Sequence, residues 1–272
     1  MRHAGTIRRG IGAVLAAALV AAAAAVPSHA AEEGVTGSLA APLSSAYVFR
    51  GTLVTDDPVL QPSLTLSAGD FSFNVWANQN LTDYNTAPGT GPAPGSVDGS
   101  GQIVELDYTL GYSFAVEKFS FSVGGIQYTF PHTTLEPTTE IFGTVACDVP
   151  LAPKLSLYWD VDEAGGVYAN LGVGHTFGFG EVAKGISPSL GLTASVGYAS
   201  GGWNELYYGV RQSGLVDLLL GATVTVPVGK ALSLAGFASY SDVLDGTLSD
   251  RAKILYGDPD AFFGGVAVSF SF

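Results

Sequence analysis

The chain has 272 residues, 47% of them apolar, and its 24 acids against 11 Lys and Arg give a formal charge of −13. That balance argues against nucleic acid as a partner, because phosphate binding needs a cationic surface. The lone Cys147 cannot form an intramolecular disulfide. Asp148 beside it opposes a reactive thiolate, so Cys147 reads as a small apolar strand residue.

At the start, Arg2, Arg8 and Arg9 precede an apolar run from Ile11 to Val26, followed by Pro27-Ser28-His29-Ala30-Ala31. This is the order of a secretory signal peptide, with cleavage expected after Ala30. The run is short for a spanning helix. Residues 31–272 lose three arginines and no acid, so they are more acidic still, and they are expected to form one domain.

From there, period-2 alternation recurs along the chain. It predicts strands near Val35–Ala41, Val59–Ala68, Phe71–Asn78, Ile103–Phe114, Lys118–Phe130, Thr139–Asp148, Leu155–Asp162, Val167–Gly178, Leu190–Tyr198, Leu218–Val226, Ala231–Ser241 and Phe262–Phe272. In the fourth of these, Val104, Leu106, Tyr108, Leu110, Tyr112 and Phe114 oppose Glu105, Asp107, Thr109, Gly111 and Ser113. A soluble sandwich would carry Lys and Glu on its polar face. Here that face is mostly Gly, Ser, Thr and Asn with a few acids, which suits the inside of a barrel. In Lys118–Phe130 the apolar parity shifts from Phe119, Phe121 and Val123 to Ile126, Tyr128 and Phe130, and Gly124-Gly125 at the shift predicts a β-bulge.

The connections alternate in length. Gly69-Asp70, Val116-Glu117, Val149–Pro153, Gly180–Gly185 and Pro227–Lys230 are short; Pro42–Pro58, Leu81–Gly101, Pro131–Pro137, Gly201–Gly214 and Asp242–Ala261 are mostly longer, with Glu163–Gly166 a short exception. Short turns on one side and long loops on the other predict an all-β fold, a transmembrane antiparallel up-and-down β-barrel of about twelve strands with periplasmic termini. The last strand ends Val266, Val268, Phe270, Phe272 on one face, with Ser269 and Ser271 on the other. This ending resembles the closing strand of bacterial outer-membrane barrels. By that resemblance Phe270 and Phe272 form the assembly signal, read by the barrel-assembly machinery, and the strand closes against Val35–Ala41.

Ser45-Ala46-Tyr47-Val48-Phe49-Arg50-Gly51, followed by Asp56-Asp57 and Pro58-Val59-Leu60-Gln61, resembles the start of the TorF-like porin family of proteobacterial outer-membrane proteins. Glu105-Leu106-Asp107-Tyr108 with Gly111-Tyr112, and Tyr128-Thr129-Phe130-Pro131 followed by Glu140, are similar to the same family. Beyond Pro153 only the general barrel pattern continues. The resemblance implies a barrel porin and supplies no substrate.

Residues expected to line the lumen are Glu105, Asp107, Glu140, Asp148, Asp160, Asp162 and Asp217, with Arg50 either pointing inward among them or pairing with Asp56 or Asp57 in its own loop. A carboxylate-lined, water-filled lumen favours cations; the acids could instead be paired inside a plugged barrel. His132 and His175 come with no nucleophile motif such as G-x-S-x-G, so no enzyme and no catalytic residue is expected. Gly172 to Gly180 lacks G-x-G-x-x-G spacing, and the acid pairs Asp56/Asp57 and Asp258/Asp260 lack EF-hand spacing, so neither a cofactor nor a metal is expected. The composite expectation is an outer-membrane porin for passive diffusion of small hydrophilic solutes, cation-preferring, surrounded by outer-membrane lipid and lipopolysaccharide. Three alternatives stay open: a selective channel with loops folded into the lumen, a non-conducting structural or surface-binding barrel acting through its outer loops, and a membrane-embedded hydrolase.

Overall fold

The computed structural model describes residues 34–83 and 100–272, so the expected export segment 1–30 and most of the Leu81–Gly101 connection lie outside the described residues. The alternating segments form β1 (Val35–Ser44), β4 (Val59–Leu60), β5 (Ser63–Ala68), β6 (Phe71–Asn80), β7 (Ile103–Val116), β8 (Phe119–Thr129), β9 (Thr138–Cys147) and β10 (Lys154–Asp160). They continue as β11 (Val167–Gly178), β12 (Ser189–Ala199), β13 (Gly214–Val228), β14 (Leu232–Val243) and β15 (Asp260–Ser271). Each pairs antiparallel with its neighbours in chain order. β4 and β5 occupy one place in the wall, since both pair with β1 on one side and β6 on the other. Pro62, which has no N–H to give to a ladder, separates them. The result is a closed barrel of twelve wall strands.

Closure is made by the chain ends. β15 runs against β1 from Ser38↔Ser271 to Ser44↔Gly265, and Phe272 exchanges both backbone hydrogen bonds with Gly37, at 2.7 and 2.9 Å. Gly37 leaves room for the Phe272 ring, whose tip would have to turn aside for a Cβ at that position. No free sheet edge remains, which is the condition for crossing hydrocarbon with strands.

The outer face is an apolar belt. Leu110, Ile141, Leu157, Leu171, Leu220 and Val266 are all exposed, on faces that would strand them in water if the protein were soluble. At the end that carries the short turns, Phe71, Tyr112, Phe114, Phe121 and Phe119 form a chain of ring contacts with centroids 5.0 to 6.4 Å apart. Such an aromatic girdle belongs at a membrane interface. No helix among the described residues is long and apolar enough to cross a membrane.

The β-bulge expected at Gly124-Gly125 is absent: β8 keeps unbroken register with β7 and with β9. Parity does not change. Instead the apolar face does, because Ile126 and Tyr128 point into the barrel, toward other apolar groups rather than water. Gly124 is small for a separate reason, since a Cβ there would strike the Leu110 carbonyl and the Phe142 ring.

Three long connections are folded. The first carries a hairpin of β2 (Tyr47–Phe49) and β3 (Thr52–Thr55). The others carry helix α1 (Gly201–Tyr208) and helix α2 (Gly246–Tyr256). Asp245 caps α2 by accepting the Thr247 and Leu248 amides at 2.9 and 3.1 Å, and Gly209 ends α1 in the left-handed region, with φ 67°. Together these pieces make a hydrophobic core at the loop end, with Ala46, Leu53, Trp203, Tyr208, Leu248 and Ala252 all buried.

Candidate functional site

The hairpin turns on two residues, Arg50 and Gly51, both with positive φ (49° and 84°), as a tight two-residue turn between twisted strands requires. Gly51 suits this region and has a second reason to lack a side chain: a Cβ would sit 2.6 Å from Cβ of Asp217 on β13. Arg50 does not suit it. A non-glycine residue there costs about 1–2 kcal/mol, and the surroundings must hold it in place.

They do so from the far wall. The hairpin leaves the barrel between β1 and β4, yet Arg50 reaches β8, β9, β10 and β11, on the other side of the ring. Its Nη1 donates to Oε1 of Glu140 at 2.6 Å and its Nη2 to Oε2 at 2.7 Å, a two-pronged pair. The Tyr128 hydroxyl donates to the same Oε2 at 2.8 Å. The guanidinium carbon stands 4.3 Å from the Tyr158 ring centroid, 4.6 Å from that of Tyr168 and 4.7 Å from that of Phe49. Burial alone would lower the Arg50 pKa. The Glu140 carboxylate, with Tyr128, more than reverses this, so the net shift is upward and Arg50 stays charged.

The hairpin is clamped from the loop side. Tyr207 of α1 meets Phe49 at 5.9 Å and stacks on Trp203 at 4.0 Å. Thr52 donates to the Tyr208 hydroxyl at 3.3 Å. In turn α2 holds α1, as the Tyr256 hydroxyl donates to the Tyr207 carbonyl at 2.5 Å and Arg251 Nε to the Tyr208 carbonyl at 2.9 Å. Beyond the hairpin tip, toward the short-turn end, lies a cavity of about 420 Å³ whose wall includes Lys154, Ser156, Asn170 and Ser195.

Over residues 28–243, which is most of the chain, the sequence matches a family described as "Bacterial protein of unknown function (Gcw_chp)". The chain belongs to the Gcw_chp family. No curated protein matches it. Among solved structures, the NanC porin is similar at 7% identity, over 85% of this chain and 98% of that one, with a TM-score of 0.45. An outer membrane channel from Pseudomonas putida F1 is similar at 11% identity, covering 88% and 95%, with a TM-score of 0.46. Outer membrane phospholipase A from Escherichia coli is similar at 11% identity, covering 86% and 89%, with a TM-score of 0.41.

In this Gcw_chp chain the acids expected in the lumen have separate fates. Glu140 is buried and paired with Arg50, which therefore points inward and does not pair with Asp56 or Asp57. Asp217 is buried and accepts the Tyr168 hydroxyl at 2.9 Å. Glu105 is buried and takes the Tyr47 hydroxyl of the hairpin, and Asp107 lies within electrostatic reach of Glu105, Glu140 and Arg50. Asp160 is occupied in a turn, accepting from Thr138 Oγ1 at 2.8 Å and from the amides of Asp162 and Ala164 at 3.0 and 3.1 Å. That turn explains why Glu163–Gly166 is short. Asp162 is exposed in it and Asp148 is exposed at a short turn, so neither stands on the lumen wall.

The two histidines do not share a site. His132, with φ 60°, is in the connection after β8, while His175 lies exposed on the outer face of β11, its ring 4.5 Å from Phe177. Among the described residues no group of three or more His, Cys, Asp or Glu is placed to hold a metal. Sequence reasoning missed Tyr158, Tyr168 and Tyr207. For Tyr158 and Tyr168 the available signal was a tyrosine on the inner parity of its strand, beside Ser156 on β10 and Asn170 on β11. A ring in that position needs something apolar to pack against.

Proposed function

We propose that this barrel is an outer-membrane channel for small hydrophilic solutes, narrowed midway by the β2–β3 hairpin, and that it reaches the membrane through cleavage of residues 1–30. The observation that carries the reading is a cavity of about 420 Å³ inside a closed barrel, bordering the hairpin tip and lined by Lys154, Ser156, Asn170 and Ser195 as well as by apolar side chains. Passage then depends on size and wall charge at one cross-section, where Arg50 and Glu140 face each other. Glu105, Asp107, Glu140 and Asp217 outnumber Arg50 and Lys154 along the lumen, which supports a preference for cations. The resemblance to TorF-like porins is consistent with this. The three stretches that carry it meet at one place: Tyr47 and Arg50 in the hairpin, Glu105 and Asp107 on β7, Tyr128 and Glu140 on β8 and β9.

Planar-bilayer recording of the refolded protein tests the channel. Small cation-selective steps are expected, and silence at every voltage and salt concentration would refute it. Glu105→Gln with Asp107→Asn should reduce the selectivity; an unchanged reversal potential would remove those acids from the path.

A second reading is favoured by the packed core at the loop end. Trp203, Tyr208 and Leu248 are fully buried there, as in a folded cap rather than a set of mobile loops. A non-conducting barrel that presents this cap as a binding surface would show no conductance, and would lose its partner when the cap is cut.

A further inference from the structure

The cluster around Arg50 has two parts that differ in origin. One part is wall: the Glu140 carboxylate, the Tyr128 hydroxyl and the rings of Tyr158 and Tyr168, all on adjacent strands β8 to β11. The other is a side chain delivered by an inserted hairpin. The wall part is complete as a receptor for a planar cation. It offers two coplanar carboxylate oxygens to a fork of N–H donors, and aromatic faces above and beside the plane. Such a wall does not distinguish a guanidinium carried by Arg50 from one carried by a solute.

We propose that Glu140, Tyr128, Tyr158 and Tyr168 form a binding site for guanidinium-type organic cations, which Arg50 fills as a tethered internal ligand. Three features support this. The side chain comes from the far side of the barrel, so the site is not formed by its own strand. Arg50 is held in the left-handed region, with φ 49°, a conformation unfavourable for a residue with a side chain and released when the hairpin lets go. And the cavity borders this site and extends toward the short turns past Ser156, Asn170, Ser195 and Lys154, with apolar groups such as Ile126 and Leu219 between them, so a small solute has room to approach. A cation that competes for Glu140 takes over its bonds to Arg50 and loosens the hairpin tip. The ligand thereby widens the passage that it uses. That consequence rests on the channel reading; the binding itself does not.

The test is chemical rescue. Arg50→Ala leaves the Glu140 carboxylate buried without its cation, and the refolded variant should melt lower than the parent. Methylguanidinium chloride at millimolar concentration should restore its melting temperature by a few degrees in a saturable manner. Methylammonium, a point charge with no planar fork, should do so much less. Arg50→Ala combined with Glu140→Gln should not respond. Arg50→Lys keeps a positive charge at the tip and provides a second background in which methylguanidinium should stabilise more than methylammonium, should the alanine variant fail to fold. Equal responses to the two cations, or a response that survives Glu140→Gln, would overturn the proposal. Uptake of glucose by protein-loaded liposomes reports on the channel separately. Severalfold faster uptake by wild-type protein with methylguanidinium is expected. Rescue without uptake in any variant would refute the channel and leave the binding site standing.

Discussion

The two halves of the lumen share one wall and are filled by different physics. Toward the short turns, many inward positions are small or polar, among them Ser156 on β10, Asn170 and Gly172 on β11 and Ser195 on β12, which line a cavity together with Lys154 and Leu219. Toward the loops, the inward positions are Tyr128, Tyr168, Glu140 and Asp217, and the space is occupied by the hairpin, α1 and α2. The same strands run through both halves, so the wall does not determine whether the lumen is open. What determines it is the inserted chain and the side chains that meet it. The loop half is in effect a small soluble-type core enclosed by a membrane barrel, and its stability can be altered with the barrel left intact.

The largest effect is expected where the two regions are joined. Glu140→Ala strips a buried guanidinium of its partner, and loss of one member of a buried pair costs about 3–5 kcal/mol. Protease cleavage within the hairpin should become rapid while the folded barrel keeps its electrophoretic mobility; unchanged protection would mean that the pair does not hold the tip. A matched exchange of both residues for apolar ones of similar size should recover much of the loss, as it leaves no buried charge unpaired. Gly51→Ala should come next. It places a Cβ in the left-handed region and against Asp217, so about 1–2 kcal/mol from the backbone alone is expected, with the collision added. Urea unfolding followed through the tryptophans near the cap checks it.

The wall was legible in the sequence because both of its faces obey one period. Lipid on one side and small polar residues on the other write the alternation into every strand, and the closing pair of β1 with β15 follows from an even number of staves. The cap was not legible, because a lumen that is dry in one half reverses the code there. By sequence Ile126 and Tyr128 look like lipid-facing residues out of step, which reads as a bulge; in the fold Tyr128 packs against Phe49 of the hairpin, and Phe49 against Tyr207. Arg50 gave a weak signal: arginine is not a residue that a tight turn selects, and its partner Glu140 lies ninety positions away. Helix α2 is different. Asp245 ahead of Gly246-Thr247-Leu248 and Gly257 after Tyr256 are ordinary start and stop signals within the long Asp242–Ala261 connection.

That cap supplies the next prediction. Asp245→Ala removes the acceptor for two amides and should cost about 1 kcal/mol, confined to the loop end, so hydrogen exchange should rise in α2 and not in β15. The smallest effect concerns pH. Asp56 sits beside β3 with its pKa raised, first by burial and then by the charges of Asp258 and Asp57. A raised carboxyl pKa means that the charged form is disfavoured in the folded cap. The favourable contribution is complete below the ordinary value of 3.8 and is lost as pH rises through the higher folded value. Asp56 is exposed, so solvent screens most of this. Asp56→Asn should therefore slightly stabilise the cap at neutral pH and flatten its dependence on mildly acid pH, with no change at the short-turn end. A pH dependence that persists unchanged in this variant would mean that Asp56 is not the titrating group.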